Sequence, residues 1–139
     1  MTCVKAVARS GDYIHIMSEQ PLVDPKSQKI ISLGVETHFT PNGIVSRTLW
    51  RGPNLRIVLF GFAEGQELTE HTSTQNAFIQ ILSGECEFLL GGKPHALKSG
   101  DFLYMPAHLP HSVVATKQFS MLLTLSQDIE SSSLKLTPK

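Results

Sequence analysis

The side chains best suited to chemistry fall in two stretches, residues 61–84 and 100–111. The first holds His71 in a polar run from Glu67 to Gln75, and the second closes on His108 and His111. Neutral imidazole is a good ligand for Zn, Ni, Cu or Fe, whereas a serine hydroxyl or an alanine is not. Catalytic zinc normally takes three protein ligands, and a mononuclear iron oxygenase takes two histidines and a carboxylate. His71 and His111 therefore need a third group to hold a metal. Side chains alternate across a strand, so His71 and Ser73 share one face and Glu70 takes the other. Gln75 lies two residues past Ser73, and its amide oxygen could reach inward. Glu67 shares the alternation with His71, and a turn at Leu109-Pro110 could bring His108 to a cavity mouth. The plainer reading is a metal-free pair, with the two imidazoles bonded to each other or to water.

Other chemistries lack support. There is no Gly-x-Ser-x-Gly elbow, no phosphate-cradling glycine loop and no Cys-x-x-Cys pair. Ser73 beside His71 has no orienting carboxylate. His95, on a hairpin return after Lys93-Pro94, reads as solvated, and His15 and His38 lie outside both stretches. Arg47 and Arg56 sit on expected strands, where an inward arginine could anchor an anion and a surface ion pair is the commoner outcome. Phe60, Phe62 and Tyr104 are expected as cavity wall beside Ser73 and Ala77. Phe78 and Phe102 read as core or wall.

The elements that would position these groups are short strands. Ile44–Trp50, Leu55–Phe62, Glu67–Thr72, Ala77–Leu82 and Glu85–Leu90 follow one another with turn signals between them. Gly91-Gly92 suits a tight hairpin. Lys93–Leu97, Phe102–Met105, His111–Thr116 and Phe119–Leu125 complete the series, and no sustained helical period interrupts it. Such a pattern predicts an all-β sandwich or barrel. Residues 1–42 are expected as an N-terminal extension of irregular structure with a possible edge strand at Asp12–Met17. Residues 43–126 form the domain, and residues 127–139 a polar, mobile tail. Several runs are apolar on both faces, notably Ile57–Phe62, Ala77–Ile79 and Met121–Leu125. A strand with two apolar faces needs a second cover. A homodimer would supply it, or residues 1–39 could fold over that face.

Composition narrows the partners. At 139 residues the chain suits one domain, and it buries enough surface for a core without metal or disulfide staples. Lys plus Arg and Asp plus Glu are 12 each, so neither nucleic acid nor an anionic membrane is expected as the main partner. No apolar run approaches membrane-spanning length, and the first residues lack the apolar core of a signal peptide. Cys3 sits near the start, and Cys86 alternates with Phe88 and Leu90 as a small core residue. That usage favours a reducing, cytoplasmic setting over a disulfide framework.

The two stretches together resemble the cupin superfamily. In its first motif a glycine, five spacers and a histidine match Gly65 and His71, and Gly84 ends the frame. In its second motif Gly100, Pro106 and His111 stand at the family's spacing. The resemblance spans roughly residues 43–126 and is nearest to small single-domain, RmlC-like cupins. It implies a double-stranded β-helix, or jelly-roll barrel, that is often dimeric. In the family three histidines and a glutamate bind one divalent metal. Here Ser73 replaces a histidine, Ala77 replaces the glutamate, His108 replaces a glycine and Ala115 an asparagine. Only His71 and His111 survive, with Gln75 and His108 as weaker candidates.

The resemblance then implies one of two functions. One is a metal-dependent enzyme acting on a small molecule, with Zn, Fe, Ni or Mn at His71 and His111 as Lewis acid or oxygen-binding centre. The other is a non-catalytic cupin that binds or senses a small ligand and needs no metal. The paired histidines would mark the floor of the cavity.

Overall fold

The computed structural model describes residues 4–9, 12–16 and 20–128, with side chains from residue 20 onward. Cys3 and most of the tail expected at 127–139 lie outside them. Among the described residues the sequence makes eleven strands and one short helix. An antiparallel pair, β1 (Val4–Arg9) and β2 (Asp12–Ile16), comes first. The single-turn helix α1 (Leu33–Glu36) follows a run of irregular backbone. The remaining strands are β3 (Ile44–Arg51), β4 (Leu55–Phe62), β5 (Glu67–His71), β6 (Asn76–Ser83), β7 (Glu85–Leu90), β8 (Lys93–Lys98), β9 (Phe102–Met105), β10 (His111–Val114) and β11 (Phe119–Ser126).

They form two sheets. One runs β1-β2-β3-β4-β11-β6-β9 and the other β5-β10-β7-β8. Sequence neighbours β4 and β5, β6 and β7, β8 and β9, and β10 and β11 sit in opposite sheets, so the chain winds around a common interior as a jelly-roll barrel. The β7–β8 hairpin closes on Gly91 and Gly92 at φ 55° and 83°, the left-handed values a two-residue turn requires. Antiparallel pairing joins every neighbouring pair except β2 with β3, which run parallel.

The interior is filled by alternate residues of both sheets. Phe62, Phe88 and Phe119 are almost fully buried, and Phe62 stacks on Phe119 at 4.5 Å between ring centroids. Aromatic pairs in this range add about 0.5–1.5 kcal/mol beyond burial. Cys86 lies in the same core, as its alternation with Phe88 and Leu90 implies. Desolvation, and secondarily the charge of Asp101, push its thiol up to about 12, so it is a packing residue and not a nucleophile.

The outer face of the larger sheet has two halves. Residues 20–39 cover the half at β3 and β4. Leu22 and Val23 donate backbone N–H groups to the Thr48 and Leu49 carbonyls at 3.1 and 2.9 Å, and His38 and Phe39 lie over Gly61. Arg47 reaches up from β3 to Glu36 (3.5 Å) and to His38 Nε2 (3.4 Å), so it faces the covering segment and not the interior. Leu59, directly opposite Arg47 on β4, is 1% exposed beneath that segment. The far half, at β6 and β9, is open. Phe78, Phe102 and Tyr104 cluster there, with Phe102 61% and Tyr104 48% exposed.

Candidate ligand cavity

Strand β5 meets β10 with His71 opposite His111. One pair further on, Val113 stands opposite Leu68, so two steps on β10 match three on β5. This bulge resets the alternation on β5. Leu68 and His71 both face inward, and Glu67 turns to a separate surface depression shared with Thr69 and Glu70. Unbroken alternation placed Glu67 beside His71. The bulge removes that carboxylate from the site.

The inward face opens on a cavity of about 470 Å³. Its walls are apolar, built chiefly by Phe60, Ile79, Met105, Met121, Leu123 and Leu125. Polar groups gather at one rim, where His71 and His111 meet the loop Thr72–Gln75. His71 is exposed and His111 half-buried, so the pair stands at the mouth of the cavity and not at its floor. Ser73 accepts the Gln75 backbone N–H at 3.0 Å, and its carbonyl accepts the His108 N–H at 2.7 Å. Asn76 accepts the Ala107 N–H at 2.9 Å through its side-chain oxygen and donates to Asp128 at 2.7 Å. These bonds fix the rim between the end of β5 and the start of β10.

The sequence candidates distribute as follows. His71, His111, Ser73, Gln75, Ala77 and Phe60 all line the cavity. His108 does not. It is exposed in the turn before β10 at φ 72°, the left-handed conformation in which the motif carries glycine. Phe62 points inward but is consumed by its stack on Phe119. Tyr104 points outward, because it pairs with Phe78, whose chain neighbours Ala77 and Ile79 take the inner face. In Phe102-Leu-Tyr-Met105 both phases are apolar, so the strand alone does not say which faces in. Met121, Leu123 and Leu125 also line the cavity, though they were not among the expected wall residues; their spacing of two on one strand is the signal that they share a face.

The two imidazoles are held alike. His71 Nδ1 lies 2.7 Å from the Thr69 carbonyl and His111 Nδ1 lies 2.8 Å from the Leu109 carbonyl. A carbonyl oxygen only accepts, so each Nδ1 carries the proton and donates it. In the neutral form of either ring this leaves Nε2 with a bare lone pair. The rings stand edge to face with centroids 4.3 Å apart, and neither Nε2 has a hydrogen-bond partner among the described residues. They are not bonded to each other. Burial holds His111 below the ordinary histidine range, with the neighbouring His71 pushing the same way and the Leu109 bond opposing.

The donor set fits two positions of a metal shell. Second-partner bonds from Nδ1 to a carbonyl are how ligating histidines are usually oriented. The remaining positions have no matching group: among the described residues no three His, Cys, Asp or Glu side chains come together. Gln75 supplies the one amide oxygen on the wall.

Residues 58–125 match the family described as Cupin domain. Among solved structures, a conserved protein of unknown function from Streptococcus pyogenes is 28% identical, with a TM-score of 0.70, over 81% of this chain and 99% of its own. A cupin 2 conserved barrel domain protein from Leptotrichia buccalis is 35% identical, with a TM-score of 0.63, over 65% of this chain and 44% of its own. An RmlC-like cupin protein from Desulfovibrio desulfuricans is 29% identical, with a TM-score of 0.65, over 72% of this chain and 97% of its own. A comparison with curated protein sequences finds no match.

Proposed function

From the premise that the chain carries a small cupin domain, we propose that its cavity binds a small molecule with an apolar body and one polar head. The supporting observation is the cavity itself, apolar along its walls and polar at a single rim. Its volume lies in the range of small-molecule sites, and such sites combine apolar walls with a few fixed polar groups. The body would lie between the two sheets. The head would meet His71, His111 and the Ser73–Gln75 loop.

A thermal-shift screen of small molecules in EDTA-containing buffer tests this. Hits are expected without metal, and Ala77→Phe, which fills the wall between the sheets, removes them. A screen with no hit, or hits that survive the filled cavity, would count against the proposal. A cytoplasmic setting goes with it, on the strength of the free, buried Cys86. No helix among the described residues is long and apolar enough to cross a membrane.

The histidine tautomers favour a second reading, a metal-dependent enzyme acting on an unidentified small molecule. His71 and His111 would hold a divalent transition metal such as Zn, Fe, Ni or Mn, with Gln75 beside them. Bound there, it would supply a Lewis acid or an oxygen-binding centre. Metal analysis of tag-free protein from supplemented medium separates the readings. Near-stoichiometric metal that is lost in the His71→Ala, His111→Ala double variant supports the enzyme. Trace metal unchanged by that variant removes it.

A further inference from the structure

The polarity of the cavity mouth is fixed in one direction, and that selects a ligand class. Both imidazoles have spent their N–H groups on the carbonyls of Thr69 and Leu109, at 2.7 and 2.8 Å. What they offer a ligand is two acceptors side by side, on rings 4.3 Å apart. Among the described residues neither Lys nor Arg lines the wall. Ser73 keeps a free hydroxyl hydrogen, since its oxygen accepts from the Gln75 N–H, and it can adapt to either polarity. The neutral histidine pair cannot donate without breaking a bond to its own backbone or taking up a proton at Nε2.

The geometry points to a ligand that is neutral and brings a hydrogen-bond donor, an O–H or N–H on an apolar body, to the paired Nε2 atoms of His71 and His111. This rests on the small-molecule reading of the same cavity. A carboxylate would meet two lone pairs with no cation to offset its charge, and it would leave water to sit in an apolar chamber. An ether of the same shape would fill the walls and donate to neither nitrogen, leaving the half-buried His111 Nε2 without a partner. A phenol or an alcohol, with its single O–H, satisfies one of the two. Leaving a polar group without its partner is what separates close analogues at buried sites.

Three probes of one size and shape test it at about pH 8, where an ordinary imidazole is neutral, on EDTA-treated full-length protein. They are 2-naphthol, 2-methoxynaphthalene and 2-naphthoate, with affinities read by titration calorimetry. 2-Naphthol is expected to bind about tenfold or more tighter than the methyl ether, and the carboxylate weakest of all. His71→Leu is expected to narrow the gap between naphthol and ether without lowering the melting temperature, because His71 is exposed.

Equal affinity for all three overturns the donor preference while leaving the cavity as a binding site. Tightest binding of naphthoate overturns it too, since it would mean a cationic mouth. Failure of all three to bind removes the donor preference and the small-molecule reading together. Affinity that returns only when a divalent metal is restored overturns it in favour of the metal centre. An unchanged naphthol preference in His71→Leu and in His111→Leu overturns the assignment to the pair.

Discussion

Gly84 joins β6 to β7 at φ 75°, and its backbone lies against the chain just before β11. A Cβ placed there would press on the Gln118 carbonyl oxygen and come within 2.7 Å of Phe119 Cα and 2.8 Å of the Gln118 carbonyl carbon. All three are backbone atoms, so no side chain can swing aside. Gly84→Ala thus carries two penalties. The left-handed conformation costs an L-residue about 1–2 kcal/mol, and forcing extra volume into a packed site costs about 1–3 kcal/mol. The sum is roughly 2–5 kcal/mol. For a chain of this length each kcal/mol lowers Tm by roughly 4 °C, so the expected fall is roughly 8–20 °C. Gly65 provides the control. Its φ is 85°, yet nothing lies within 4 Å of an added Cβ, so Gly65→Ala carries the conformational penalty alone, about 1–2 kcal/mol. Urea unfolding followed by circular dichroism and by fluorescence of Trp50, the single tryptophan, measures both variants. The midpoint should fall further for Gly84→Ala at an unchanged m-value. If the two variants agree within about 0.5 kcal/mol, the close approach contributes nothing and the argument from the Gln118 backbone is wrong.

Other outcomes follow from single features. His108 occupies a left-handed position at φ 72° and lies outside the cavity, so His108→Gly should raise stability by up to about 1 kcal/mol and leave ligand affinity unchanged, as judged by melting with and without ligand. His111 has a folded pKa below its ordinary value. Between the two values the unfolded chain binds more protons than the folded one, so stability is full above about pH 6.5 and falls as pH drops toward the lower value. Denaturation midpoints across that window should slope for wild type and flatten for His111→Gln. The open aromatic patch at Phe78, Phe102 and Tyr104 suits a second copy of this chain. Light scattering should give a dimer that the Phe102→Asp, Tyr104→Asp double variant shifts to monomer, whereas a monomeric wild type would refute that use of the patch.

Much of the frame was legible because turn chemistry and strand pattern are local. Leu55–Phe62, Glu85–Leu90 and Phe102–Met105 are strands with the bounds the sequence predicts. The spacing from Gly65 to His71 and from Gly100 to His111 brought two histidines 40 residues apart into direct register. Of the segment 1–39 offered beside the dimer as an alternative cover, Glu36, His38 and Phe39 lie over Arg47 of β3 and Gly61 of β4.

What the sequence determined by itself was the series of strands from β3 to β11 and the turns between them, whereas β1 was not foreseen. The strands and turns rest on local pattern, and the pairing of His71 with His111 rests on the resemblance to the cupin motifs. Only the tertiary structure decided which apolar phase of β9 faces inward, so that Met105 and not Tyr104 lines the cavity. It alone showed the bulge on β5 that puts Leu68 in Glu67's expected place. It also set the histidine pair at the mouth with Nδ1 committed and Nε2 free. Alternation gives the relative phase of neighbouring side chains, whereas absolute phase, a bulge and a hydrogen-bond partner depend on which strands come to lie beside one another.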